Sequence, residues 1–123
     1  MIEERRLKMR HPIRIGAVII TPTASVAAVT VDISTDGIRI LSPEPILPET
    51  DVALSLATGE ETLLSGAVLW ALEINGGQEK PSYDVGIEID SVILRENEAI
   101  GFAGKEAIVT EILSRTRKMA DAG

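Results

Sequence analysis

The sequence predicts an all-β fold, a barrel of six short strands, followed by a C-terminal helix. Between residues 13 and 89, apolar and polar residues alternate as a half-buried strand requires, and these stretches are rich in Val, Ile and Thr. Clusters of turn-forming residues separate the stretches. From about Arg95 onward, the apolar residues take up a helical spacing instead.

Six segments have the strand pattern, and so many short strands in a small domain indicate a closed or nearly closed barrel. Residues 42–49 contain three prolines, which cannot donate ladder hydrogen bonds, so this segment is predicted to be a loop. The predicted strands are 13–20, 26–34, 37–42, 51–57, 62–74 and 83–89, and the turns lie at Pro22 and in segments 35–37, 58–59 and 75–77.

The helical pattern after Arg95 places apolar residues on one stripe and basic residues near the end, where cations complement the helix dipole. The periodicity leaves open whether this stripe covers the barrel or pairs with a second copy of the chain. The stripe consists of Ile100, Ala107, Ile108, Ile112 and Leu113, and the basic residues are Arg115, Arg117 and Lys118.

The length of 123 residues fits a single domain, expected to span residues 1–123 as a flexible arm (1–12), a barrel (13–90) and a helical segment (91–123). Without cysteine and with one histidine, the chain has little for metal or acid–base chemistry, so we expect no enzyme, metal or cofactor. No apolar run approaches the roughly 20 residues of a membrane span, and the start lacks the apolar core of a signal peptide. A cytoplasmic protein without membrane contact is expected.

The net charge of −7 argues against binding DNA or RNA through a general basic field. The charge is uneven, however, because the first 14 residues contain five basic and two acidic residues, a net +3, and the remainder carries −10. A local anion site is therefore compatible with an acidic chain. Aromatic residues are too scarce for the stacking platforms of single-strand-binding proteins.

Arg5, Arg6 and Arg10 form a basic cluster just before the first predicted strand. The planar guanidinium can grip a phosphate with two hydrogen bonds, stack on a purine, or donate to the O6 and N7 acceptors of guanine. Taken alone, such a cluster is more often a solvated basic terminus.

A second motif, Asp32, Ser34 and Gly37, lies where one predicted strand turns into the next. Residues two apart on a strand project to the same face, so Asp32 and Ser34 are expected to lie side by side. Gly37 permits a positive φ or a close backbone approach. Taken alone, this motif is more often an ordinary hairpin turn.

The two motifs together, RRxxxR followed about 20 residues later by DxSxxG, resemble the PilZ family of cyclic di-GMP receptors. Segment 66–70 resembles the strand of that family that ends near an aromatic residue, and segment 83–89 resembles its final barrel strand. The resemblance covers nearly the whole chain to Asp90 and implies a six-stranded antiparallel split β-barrel. It also implies a receptor that binds cyclic di-GMP and signals to a protein partner.

The resemblance implies a role for each motif residue. Arg6 and Arg10 would contact the phosphates and guanine faces, and Arg5 would add a contact that in the family often accompanies a stacked ligand dimer. Asp32 and Ser34 would hold the polar edges of guanine, and Gly37 would permit the turn that presents them. The arm would be disordered without ligand and fold onto the barrel rim with it. The downstream partner is unknown, and a homodimer stays open.

Four further residues are weaker candidates for the ligand site. Trp70 is expected to pack in the core or at the rim and is excluded from the site. His11 is expected to be a surface residue. Arg14 and Arg39 are intermediate, and a salt bridge explains Arg39 as well as a ligand contact does.

Three other functions compete with this interpretation. A PilZ-like adaptor that binds a protein and no nucleotide is the main alternative, although such chains usually lack the arginines. A hydrolase using Ser34 and Asp32 has no base placed to activate the serine. A small nucleic-acid-binding barrel conflicts with the acidic charge and the scarcity of aromatic residues.

Overall fold

The computed structural model describes residues 10–58, 61–74, 80–94 and 105–122 of the chain. Within these ranges the chain forms seven β-strands and one α-helix. The strands are β1 (His11–Pro12), β2 (Gly16–Ile20), β3 (Ser25–Ser34), β4 (Gly37–Ser42), β5 (Asp51–Ala57), β6 (Glu61–Ile74) and β7 (Ser82–Leu94), and the helix is α1 (Lys105–Ala122).

Strands β2 to β7 close into an antiparallel barrel. Their hydrogen-bonded order is β3-β2-β5-β6-β7-β4, and β4 pairs back onto β3. Closure removes the unpaired strand edges that an open sheet of this size would present. The predicted all-β class, the six-stranded antiparallel barrel and the C-terminal helix are confirmed.

The first predicted strand, 13–20, begins only at Gly16 in the structure, because the chain between β1 and β2 bonds to a side chain of β3. Thr30 is 1% exposed. Its hydroxyl donates to the Ile13 carbonyl at 2.8 Å and accepts from the Ile15 amide at 2.9 Å. The short strand β1 then pairs with the far end of β3. Part of the predicted arm, His11 and Pro12, thus lies on the barrel, whereas residues 1–9 lie outside the described residues.

The core is aliphatic and fills the barrel from alternating positions of its strands. In β2, for example, Ala17 and Ile19 are buried while their neighbours are exposed. Val109 and Ile112 of α1 are buried in the same core cluster. The helix therefore packs on the barrel. Of the predicted stripe, Ile112 lies in this core and Leu113 packs against it, whereas Val109 was not predicted to face the barrel.

The end of the last strand also differs from the sequence expectation. Strand β7 continues to Leu94, five residues beyond the predicted end at Ile89, and it pairs with β6 along that extension. The described helix begins at Lys105, and the predicted start near Arg95 lies outside the described residues. No helix in the described part of the chain is long and apolar enough to span a membrane.

Candidate functional site

Arg10 joins the two sequence motifs. Its Nε and Nη2 atoms lie 2.7 and 2.6 Å from Oδ1 of Asp32, and its Nη1 donates to Oγ of Ser34 at 3.1 Å. The contacts bridge 22 and 24 residues of sequence. Asp32 and Ser34 lie side by side as the two-residue strand period predicted, and both contact Arg10. Arg10 is exposed, whereas Ser34 is buried, with 2% of its surface exposed.

The register of β1 on β3 explains this convergence. Pro12 pairs with Asp32 and His11 with Ile33 in an antiparallel ladder. One more step along that ladder brings Arg10 beside Ser34. Pro12 has no N–H to donate, and such a residue is tolerated on an edge strand like β1.

The turn between β3 and β4 requires Gly37. Its φ is +145°, which L side chains rarely adopt, and a Cβ at this position would overlap the carbonyl oxygen of Ile87. The Asp36 amide donates to Oγ of Ser34 at 3.0 Å, so the Ser34 hydroxyl both shapes the turn and contacts Arg10. Gly37 thus has both features that the sequence predicted for it, a positive φ and a close backbone approach.

Arg39 extends the charged contacts across β4 to β7. Its Nε and Nη2 atoms lie 2.9 to 3.0 Å from the carboxylate oxygens of Asp84, and its Nη1 lies 3.4 Å from Oδ2 of Asp32. The hydrogen bond to Asp84 raises the pKa of Arg39 above its ordinary value, and burial opposes that rise. Arg10, Asp32, Arg39 and Asp84 thus form a row of alternating charge, called the ionic row below.

Trp70 lies on the same face as the ionic row, which the sequence did not predict. β6 has an irregularity between Val68 and Trp70, where Leu69 is inserted, so that Val68 pairs with Ile87 inside the barrel and Trp70 pairs with Gly86. The inserted residue reverses the alternation and leaves Trp70 36% exposed. The one sequence signal that could have indicated this position of Trp70 is Gly86, because a glycine within a strand often marks a place where another group approaches the backbone closely.

A small cleft separates Arg10 from Trp70. Its volume is about 60 Å³. The cleft is lined by Arg10, Asp36, Gly37, Ile38, Leu69, Trp70, Gly86 and Ile87.

The structure places four of the six predicted site residues. It brings Arg10, Asp32 and Ser34 into contact and puts Gly37 at the edge of the adjoining cleft. Arg5 and Arg6 lie outside the described residues. The site that sequence reasoning outlined lacked Trp70, Arg39 and Asp84, which contribute the opposite wall of the cleft and the rest of the ionic row.

The structure thus combines a closed six-stranded barrel, Arg10 in the lead-in before β1, and a DxSxxG turn between β3 and β4. The profile of the PilZ domain matches residues 4–101, more than half of the chain. The chain therefore belongs to the PilZ domain family, as the paired motifs predicted. PilZ domains are generally cyclic di-GMP-binding receptor or adaptor domains and not enzymes. A comparison with curated proteins found no match.

Proposed function

We propose that this chain is a cyclic di-GMP receptor that binds its ligand through Arg5, Arg6, Arg10, Asp32, Ser34 and Gly37. The observation that carries the proposal is the contact of Arg10 with both Asp32 and Ser34. An anion-binding group thereby lies beside the carboxylate and the hydroxyl that would read guanine. The proposal includes a cytoplasmic location and no catalytic step.

Asp32 and Ser34 supply the selectivity for guanine. A carboxylate accepts hydrogen bonds, and the Watson–Crick edge of guanine presents adjacent N–H donors, whereas adenine presents an acceptor beside its single amino group. The Asp32 side chain is 13% exposed, so its carboxylate is accessible yet held by its neighbours. A guanine edge fits this carboxylate better than an adenine edge does.

The arginines supply the affinity for the phosphates. The guanidinium of Arg10 has more N–H donors than its contacts to Asp32 and Ser34 use, and its side chain is 41% exposed. It can therefore donate to a phosphate from the N–H groups that these contacts leave unused, or turn toward the phosphate and release Oδ1 of Asp32. Arg5 and Arg6, at the end of the arm, would approach the same ligand, and Arg5 favours a stacked ligand dimer.

Trp70 supports the proposal by offering an apolar wall. Its ring lies against Gly86, where a Cβ would overlap it, and the cleft separates it from Arg10. A purine that lies across the face would contact this ring, and such base–aromatic contacts contribute about 1–3 kcal/mol.

Signalling would follow from ordering of the arm. A ligand that contacts both the arm arginines and the barrel face would stabilise the arrangement in which the arm lies on the barrel. A protein partner would then meet a different surface. The population shift can only be as large as the difference in ligand affinity between the two arrangements.

Isothermal titration calorimetry with cyclic di-GMP tests the proposal. The native chain is expected to bind at micromolar concentrations or tighter, and Arg6→Ala and Asp32→Ala are each expected to weaken binding by about tenfold or more, the loss of a charge-assisted hydrogen bond. Asp51→Ala removes the same charge from an exposed position on β5 and is expected to leave binding unchanged. If the native chain does not bind cyclic di-GMP, the proposal is overturned in favour of a protein-binding adaptor.

A further inference from the structure

We infer that Arg39 is a positioning residue for guanine selectivity, which fixes the Asp32 carboxylate and is itself fixed by Asp84. The inference rests on the proposed function and deepens it, because it concerns how the same site distinguishes one purine from another. Three observations support it: the geometry of the Arg39–Asp84 pair, the division of the Asp32 oxygens, and the course of the ionic row across three strands.

Asp84 holds the guanidinium of Arg39 from the neighbouring strand. Arg39 pairs across the ladder with Gly86, and Asp84 lies two residues from Gly86 on the same face, which is the diagonal position that a long side chain reaches. Nε lies 2.9 and 3.0 Å from the two carboxylate oxygens, and Nη2 lies 2.9 Å from Oδ2. This forked contact fixes the plane of the guanidinium as well as its position.

The two oxygens of Asp32 face different cations. Oδ1 lies within 2.7 Å of Arg10, and Oδ2 faces Nη1 of Arg39 at 3.4 Å. The Arg10 contact belongs to the lead-in before β1, whereas Arg39 projects from the barrel itself. If Arg10 turns toward a phosphate, Oδ1 becomes free to accept from the ligand while Arg39 still fixes the rotation of the carboxylate.

A carboxylate of fixed rotation discriminates more sharply than a mobile one. Guanine can place an N–H donor on the freed oxygen, but adenine in the same pose brings its ring acceptor against the negative charge. A carboxylate that rotates freely could avoid that repulsion. Loss of Arg39 is therefore expected to reduce affinity for cyclic di-GMP through Asp32 and to reduce the preference over cyclic di-AMP.

A double-mutant cycle tests whether Arg39 acts through Asp32. Cyclic di-GMP is titrated into the native chain, Arg39→Ala, Asp32→Asn and the double variant. We expect Arg39→Ala to weaken binding about tenfold in the native background and less than about twofold in the Asp32→Asn background, because interacting residues are not additive. Cyclic di-AMP, titrated into the same variants, is expected to lose less affinity than cyclic di-GMP.

Asp84→Asn provides an independent variant, since it weakens the ion pair with Arg39 without changing a residue of the binding motif. It is expected to weaken cyclic di-GMP binding in the same direction as Arg39→Ala and to have little further effect once Arg39 is gone. Arg115→Ala, which removes a guanidinium and an ion pair from α1, is the matched control and is expected to leave binding unchanged. Circular dichroism checks the fold, and Arg39→Lys replaces Arg39→Ala in the cycle if the latter fails to fold.

The outcomes separate the two proposals. Equal losses in both Asp32 backgrounds, or equal losses for the two dinucleotides, would overturn the positioning role and leave the receptor function standing. A native chain that binds neither dinucleotide would overturn the receptor function, and the inference with it.

Discussion

Two glycines shape the face that carries the site, each because it has no side chain. At Gly37 a Cβ would overlap the carbonyl oxygen of Ile87, and at Gly86 it would overlap the ring of Trp70. The backbone of β4 can therefore lie close to β7, and the indole can lie flat on β7. Both glycines line the cleft between Arg10 and Trp70.

Gly86→Ala is expected to displace the indole, because the added methyl group occupies the position of the ring. Overpacking of this kind costs about 1–3 kcal/mol of unfolding free energy. Trp70 is the only tryptophan of the chain, so its fluorescence reports the displacement directly. We expect a changed emission maximum, a lower urea midpoint and weaker cyclic di-GMP binding.

Gly16→Ala is the matched control for this substitution. A Cβ at Gly16 would lie 3.9 Å from the Cβ of Ala57, an ordinary van der Waals contact. This variant is expected to keep the native emission and ligand affinity. If Gly86→Ala also kept both, the indole would not depend on Gly86 for its position, and the wall assigned to Trp70 would lose its support.

At the scale of elements, the junction between β1 and β2 decides where Arg10 lies. Thr30 replaces a stretch of regular ladder by bonding with its side chain to the backbone of Ile13 and Ile15, and its own amide donates to the Ile15 carbonyl at 2.9 Å. β1 can then pair with the end of β3 and bring Arg10 beside Ser34.

Thr30→Val tests this junction with a side chain of similar shape. The substitution leaves a buried amide and a buried carbonyl without their partner, which costs about 1–3 kcal/mol for each unsatisfied group. We expect a corresponding fall in the unfolding free energy from urea denaturation. Faster hydrogen exchange of the Ile15 amide is expected as well.

Thr50→Val is the control for Thr30→Val. Thr50 donates its hydroxyl to the Leu47 carbonyl at 2.6 Å in an exposed loop, where water can take over that contact. We expect Thr50→Val to lower the unfolding free energy by much less than Thr30→Val does. Equal losses would mean that burial of the Thr30 bridge contributes nothing to the junction.

Sequence pattern was sufficient for elements whose alternation is regular and insufficient where one residue interrupts it. The barrel strands, the side-by-side placement of Asp32 and Ser34, and the turn at Gly37 all follow from a period of two and from turn chemistry. Trp70 was assigned to the core or rim and left out of the site, since nothing local in the sequence shows that Leu69 is an inserted residue. The pairing of Arg39 with Asp84 depends on the register of β4 on β7, which joins residues 45 apart.

At the scale of the whole molecule, local and global charge act on an anionic ligand in opposite directions. The chain carries −7 overall, but its first 14 residues carry a net +3. Fields between exposed charges fade over about 10 Å at 0.1 M ionic strength, so the nearest cations dominate what a bound phosphate experiences. The remaining acidic surface acts mainly on the approach of the ligand.

This balance predicts the sign of the salt dependence of binding. Because arginines at the site contact the phosphates directly, cyclic di-GMP affinity is expected to fall by roughly tenfold between about 0.05 and 0.5 M NaCl, through screening and counterion competition. Calorimetry at a series of NaCl concentrations measures the slope of the logarithm of affinity against the logarithm of salt concentration. Arg6→Ala removes one of the contacts and is expected to flatten it, whereas Asp51→Ala should leave it unchanged. Affinity that rose with salt would show that repulsion by the acidic surface outweighs the local arginines, which would contradict the anion site assigned to this end of the chain.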